Sequence, residues 1–246
     1  MELNYNSYYK DYAGKTINWL PMDTEDLYKQ NLKNRYTDLQ QYNWIDQQFT
    51  YSFNSHGFRC SEFSNTPTVM FLGCSLTCGI GLPQDTIWSE LASKQLGMQC
   101  ANLGIGAGSS DTAFRLCLGW IDLIKPKILV FAEPYGHRAE LLLPNDHVEN
   151  LSPQWTDKYS HHLKIWSLDD GNSAFNKLKN SFAIQHLCTL RNIKYVEVDP
   201  AKIFSLSDDY ARDLAHPGIN CNRAFAQSVL DQIELAPQRG IEPRTP

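Results

Sequence analysis

Four short, mostly apolar runs, Val69 to Leu72, Met98 to Leu103, Lys127 to Ala132 and Lys194 to Val198, constrain this chain most. The first is bounded by Pro67 and Gly73, and all are too short for core helices, so they suit strands buried on both faces of a parallel sheet. Segments of helical period stand between and after them. Trp88, Leu91, Ala92 and Leu96 follow an N-cap signal at Asp85-Thr86 and stop at Gly97; Phe114, Cys117, Ile121 and Ile124 lead to Pro126. A third helix is expected over 174–190, and a last one carries Phe225, Val229 and Ile233. Strands alternating with helices need crossover connections, so the sheet must be parallel. The expected fold is α/β, a three-layer α/β/α sandwich with a central parallel sheet.

The flanking sequence is less regular. Residues 1–66 are rich in Tyr, Asn, Gln and Asp and read as an N-terminal extension packed on the core, with a helix from Thr24 to Leu39 and a strand from Phe49 to Phe53. The domain proper is expected over 67–236, with an insertion at about 139–172 that partly covers the site, followed by a flexible, proline-bearing tail at 237–246. A content of 42% hydrophobic residues in 246 supports a sizeable core. The net charge of −5 and the lack of a basic cluster exclude a nucleic-acid partner. With neither a signal peptide nor an apolar run of membrane-spanning length, a soluble, cytoplasmic protein with no membrane partner is expected. Seven scattered cysteines fit reduced thiols rather than a disulfide framework. Cys74 and Cys78, four apart with no companion ligands, do not make a metal site.

The chemistry centres on Ser75, just past the first run in Gly73-Cys-Ser-Leu-Thr77. In an open α/β sheet the crevice lies outside the carboxyl ends of the strands. Asp213-Leu-Ala-His216 follows the last run, and Pro217 disfavours helix at His216, holding it at the entrance of the final helix. Taken singly, Ser75 reads equally as a turn residue, and an isolated Asp-x-x-His as a capped turn with a surface histidine. Together they offer a nucleophile, a base and its orienting carboxylate on one edge.

Gly73-Cys-Ser-Leu-Thr-Cys-Gly79 resembles the first block, Gly-Asp-Ser-Leu-Thr-x-Gly, of the GDSL or SGNH hydrolases, and Asp213-Leu-Ala-His-Pro217 resembles their last. Asn54-Ser-His-Gly-Phe-Arg59 and Asn102-Leu-Gly-Ile-Gly-Ala-Gly108 are similar to two further segments of the family, so the resemblance runs over about 54–235. It implies a flavodoxin-like fold of the SGNH hydrolase type and a serine esterase. Ser75 would be the nucleophile, His216 the general base and Asp213 its partner. The amides of Ser75 and Ala107, with Gly106 leaving the register open, would form an oxyanion hole.

Three departures matter. Cys74 stands where the family has an aspartate that braces the nucleophile loop, and Ala107 where it has glycine. The third block, Gly-x-Asn-Asp, is replaced by Ala132-Glu-Pro-Tyr-Gly-His-Arg138, so Gly136 takes the place of an asparagine donor. Losing such a donor costs about 100-fold to 1,000-fold in turnover. Arg138 or His137 is positioned to stand in; Arg138 would serve the oxyanion, recognise an acidic substrate group, or pair with Glu133 or Glu140 at the surface. Gly104-x-Gly-x-Gly108 lacks the spacing of a dinucleotide fingerprint, so no cofactor is expected. The resemblance implies a small-molecule or carbohydrate ester as substrate, with sugar deacetylation the leading case. Its rivals are a weakened glycan- or protein-binding module and an O-acyltransferase whose insertion excludes water.

Overall fold

Polar N-terminal sequence is held to the core by a few apolar anchors. In the computed structural model, which describes residues 5–144, 147–154, 160–166, 168–206 and 208–236, this part forms strand β1 (Thr16–Ile17), helices α1 (Glu25–Asn34) and α2 (Tyr36–Gln41) and strand β2 (Tyr51–Ser52). β1 and β2 pair antiparallel. Thr24 caps α1 by accepting from the Leu27 amide at 3.1 Å. The single helix expected from Thr24 to Leu39 is in fact two, broken at Arg35, whose backbone leaves helical space at φ −136°. Tyr28, Leu39 and Trp44 bury themselves against one face of the domain, and Tyr9, Tyr51 and Phe53 against the other.

From Thr68 the elements are β3 (Thr68–Leu72), α3 (Ser75–Cys78), α4 (Trp88–Gln95), β4 (Gln99–Asn102), α5 (Ser110–Ile124) and β5 (Ile128–Ala132). A hairpin of β6 (Ala139–Leu143) and β7 (His147–Leu151), then α6 (Ser160–Trp166), α7 (Asp170–Leu190), β8 (Lys194–Val198) and α8 (Ile219–Leu235), complete the chain. The core sheet has the order β4-β3-β5-β8 with every neighbouring pair parallel. Val69 and Phe71 pack into the layer with Trp88 and Phe225, while Met70 and Leu72 pack with Leu116, Ile121 and Ile184. Helices α4 and α8 therefore cover one face and α5 and α7 the other, which is the expected three-layer α/β/α sandwich.

Local differences from the sequence reading have tertiary causes. Asp85-Thr86 falls in a 3₁₀ turn, and α4 begins at Trp88, whose amide is capped across the fold by Asn222 Oδ1 at 3.1 Å. The insertion is partly regular, because Leu141, Leu142 and Leu143 pair with β7. Helix α7 starts before 174 because Asp169 caps it, accepting from Gly171 N at 2.7 Å. The tail at 237–246 lies outside the described residues. Among the described residues no helix is long and apolar enough to cross a membrane.

A buried ion pair ties the N-terminal segment to the loop that carries Asp213 and His216. Arg212 Nη2 lies 2.7 Å from Asp23 Oδ2, with the two side chains 0% and 1% exposed. The Arg212 guanidinium is sandwiched by Trp19 and Phe49, at 4.2 and 3.8 Å from their ring centroids. Asp23 also accepts from the Tyr51 hydroxyl, which in turn accepts from Gly81 N at 2.8 Å. Removing one partner of such a pair strands the other charge in the interior, so Asp23→Ala should cost about 3–5 kcal/mol. Urea unfolding checks this; a loss well under about 1 kcal/mol would show that the pair is no keystone.

Candidate active site

Topology places Ser75 at the point where the sheet order reverses. The connections leaving β3 and β4 go to opposite faces, so the loops after β4 and β5 flank the turn after β3, where a crevice opens in sheets of this kind. Cys74 is extended, and Ser75 is the first residue of the short helix α3, which ends on Gly79 at φ 76°. Gly104 comes so close that a Cβ there would lie 2.5 Å from Cys78 N, so only glycine lets the β4 loop pack on α3. Ile105 N donates to Gly73 O at 3.1 Å, fixing the two turns side by side.

Two side chains that were given no role from the sequence brace this turn. Asn102, at the end of β4, donates to Thr77 O at 2.7 Å and accepts from Gly104 N at 2.9 Å. Arg59, 1% exposed, donates to the carbonyl oxygens of Cys78, Gly79 and Leu82. Among the described residues it has no carboxylate partner, and these carbonyls with the face of Tyr51, 4.3 Å from the guanidinium, partly offset its burial. Asn54 shapes the preceding loop by accepting from His56 N and Phe58 N, both at 3.0 Å. In sequence, Arg59 is legible only as the end of a matched motif; its contacts are not.

Asp213 and His216 are brought together directly. Asp213 Oδ2 lies 2.5 Å from His216 Nδ1, while Oδ1 accepts from the amides of Ala215 at 3.1 Å and His216 at 3.0 Å. Leu214 takes the left-handed conformation, φ 55°, that lets the turn close on its own carboxylate. From α1, Asn31 Nδ2 reaches Asp213 O at 3.5 Å. With Nδ1 engaged, the tautomer is set and Nε2 is the nitrogen left to exchange a proton; among the described residues it has no protein partner. Gly81, beyond α3, would place a Cβ 3.2 Å from Asp213 Oδ1, and its carbonyl accepts from Arg212 N at 3.0 Å. The loop that carries the acid–base pair thus lies against the loop that follows Ser75.

No hydrogen bond joins Ser75 to His216, and the Ser75 hydroxyl has no partner among the described residues. Both residues are nearly covered, at 6% and 5% exposure. The two proposed loop donors differ. Gly106 N donates to the Tyr9 hydroxyl at 2.9 Å and is not free for an oxyanion. Ala107, left-handed at φ 63°, keeps its amide without a protein acceptor, as does Ser75. Gly136 is packed on α7, where a Cβ would meet Lys177 Cδ at 2.6 Å. Arg138 lies on the β5 loop, its guanidinium 4.9 Å from the Tyr135 ring centroid. His137 is held below the usual histidine range by burial first and by Arg138 second.

Neither a family model nor a curated protein matches the chain. Among solved structures it is similar to the psychrotrophic esterase EstA from Pseudoalteromonas sp., with 13% identity over 68% of this chain and 97% of that one and a TM-score of 0.47. It is also similar to AlinE4, an SGNH-hydrolase family esterase, with 15% identity, 74% and 88% coverage and a TM-score of 0.35. A third is SsfX3, a salicylyl-acyltransferase from a tetracycline biosynthetic pathway, with 13% identity, 71% and 57% coverage and a TM-score of 0.38. Likeness at this level assigns no residue a role.

None of the seven cysteines is in a disulfide and all are buried, Cys74 at 1% and Cys78 at 0% exposure. Burial raises the Cys78 thiol above its ordinary pKa, which lowers its thiolate fraction. Iodoacetamide should therefore leave all seven unmodified in the native protein and alkylate them in urea. Mass spectrometry showing rapid native modification at Cys74 would overturn this.

Proposed function

We propose that the protein is a serine hydrolase acting on a small acyl ester, with Ser75 as nucleophile, His216 as general base and Asp213 as its orienting partner. The observation that carries this reading is the Asp213–His216 pair, with Nε2 unengaged, on the edge where Ser75 keeps a free hydroxyl. The Ser75–His216 hydrogen bond would form when substrate enters, since such contacts are often loose in unliganded sites. His216 Nε2 takes the Ser75 proton as Oγ attacks the ester carbonyl, then returns it to the departing alkoxide. Water, activated by the same nitrogen, releases the acyl group. The developing oxyanion would be met by the amides of Ser75 and Ala107, both unspent and on adjoining turns.

The sheet, the helix layers and the paired Asp213 and His216 would suit an acyltransferase equally, since transfer differs only in which hydroxyl accepts the acyl group. A binding module built on the same crevice predicts no covalent chemistry at Ser75. A fluorophosphonate should label the wild type at Ser75 and leave Ser75→Ala unlabelled. Ser75→Ala and His216→Ala should each lower turnover of 4-nitrophenyl acetate by at least about 1,000-fold, with the double variant scarcely worse than either. Losses that multiply instead would mean that the two residues do not act as a unit.

A further inference from the structure

The hairpin segment carries donors that the protein itself does not use. Arg138 Nε and Nη1 and Asn150 Nδ2 are buried and have no hydrogen-bond partner among the described residues. A guanidinium stays charged at any working pH, and buried donors without acceptors are costly. Both surface partners offered by the sequence are already taken. Glu133 pairs with Lys177 at 2.9 Å, and Glu140 is held by Arg115 through Nε at 2.6 Å and Nη2 at 3.0 Å.

Register keeps two of these positions close. Glu140 is paired with Asn150 across the hairpin, so their side chains emerge together on one face, and Arg138 immediately precedes β6, two residues before Glu140. That face is turned to the start of α5, because Glu140 reaches Arg115 and Asn150 Oδ1 accepts from Thr112 Oγ1 at 3.0 Å. Asn150 is 5% exposed and yet keeps its amide nitrogen unspent.

The β5 loop that carries Arg138 adjoins the turn that bears Ser75. β5 is the direct neighbour of β3, with Leu72 opposite Phe131, so the loops that follow them lie together. Cys74, Tyr135 and Gly136 line one recess of about 170 Å³, and Arg138 stacks on that Tyr135 ring. One aromatic side chain thus links the unpaired guanidinium to the residue preceding Ser75.

We infer that Arg138, assisted by Asn150, binds a carboxylate carried by the ester substrate. The inference rests on Ser75 being the nucleophile. The carboxylate belongs either to the acyl part, as in a dicarboxylic acid monoester, or to the alcohol part, as in an acylated uronate; both offer oxygens that the unpartnered N–H groups of Arg138 and Asn150 can bind.

Two substrate pairs separate the sources: the 4-nitrophenyl monoester of adipate against 4-nitrophenyl butyrate, and mono-acetylated glucuronate against its methyl ester. The wild type should favour the charged member of one pair in kcat/KM by about tenfold or more. Arg138→Gln should lower that charged-to-neutral ratio by a similar factor, through KM, and Asn150→Ala should lower it less. Binding of adipate or glucuronate to Ser75→Ala, read by calorimetry, reports recognition without turnover and should vanish when Arg138→Gln is added. No preference in either pair and no binding of either anion would overturn the inference. So would an unchanged ratio in Arg138→Gln with kcat lowered for charged and neutral esters alike, which is the signature of an oxyanion donor. Anion binding that survives in a protein whose Ser75 takes no fluorophosphonate would keep the carboxylate site and sink the nucleophile.

Discussion

The buried Arg212–Asp23 pair is the constraint on which the edge bearing Ser75 and Asp213 depends. Arg212 immediately precedes Asp213, and its backbone amide and side chain work in different directions. The amide holds Gly81 O behind the turn of Ser75; the guanidinium holds Asp23 and, at 3.2 Å, Asn18 O in the N-terminal segment. Tyr51 completes a circuit from Asp23 back to Gly81 N. Two charges removed from water need close partners, and the hydrogen bonds of this pair fix three distant stretches of chain against one another. Residues before Thr68 are thereby part of how the site is built, since without Asp23, Tyr51 and Arg59 the turns around Ser75 and Asp213 would lack their buried partners.

The layers of the fold were legible because period and length speak for themselves in Val69 to Leu72 or in Phe114 to Ile124. Strand β8 falls on the residues expected, and the Asp213–His216 bond follows from a three-residue spacing that a tight turn can close. What could not be read are contacts made across the fold. Asn222 caps α4 from over a hundred residues away and displaces the local signal at Asp85-Thr86. The Tyr9 hydroxyl, near the start of the chain, engages the Gly106 amide in the Gly104 to Gly108 turn, a contact made from a stretch with no pattern. The break at Arg35 is similar. That side chain turns outward to Asp38 at 2.8 Å, while its Nη1 reaches Leu214 O at 3.4 Å, a contact no helical period encodes.

The departures at Cys74 and Ala107 have physical counterparts elsewhere. Cys74 is packed with Leu76, Leu82 and Leu214 in an apolar cluster, where an aspartate would need a partner that the cluster does not offer. The bracing that a carboxylate would supply is done from the other side of the turn, by Arg59 on the carbonyls of Cys78, Gly79 and Leu82 and by Asn102 on Thr77 O. Those bonds act on backbone oxygens, so they hold the turn whatever residue stands at 74. Ala107 pays a steric cost at φ 63° that glycine would not. The neighbouring bonds, Gly106 N to Tyr9 and Gly108 N to Ile105 O at 3.0 Å, over-determine its conformation and leave its own N–H as the donor without an acceptor in that turn. Ala107 is thus a strained residue held in place by neighbours whose own amides are engaged.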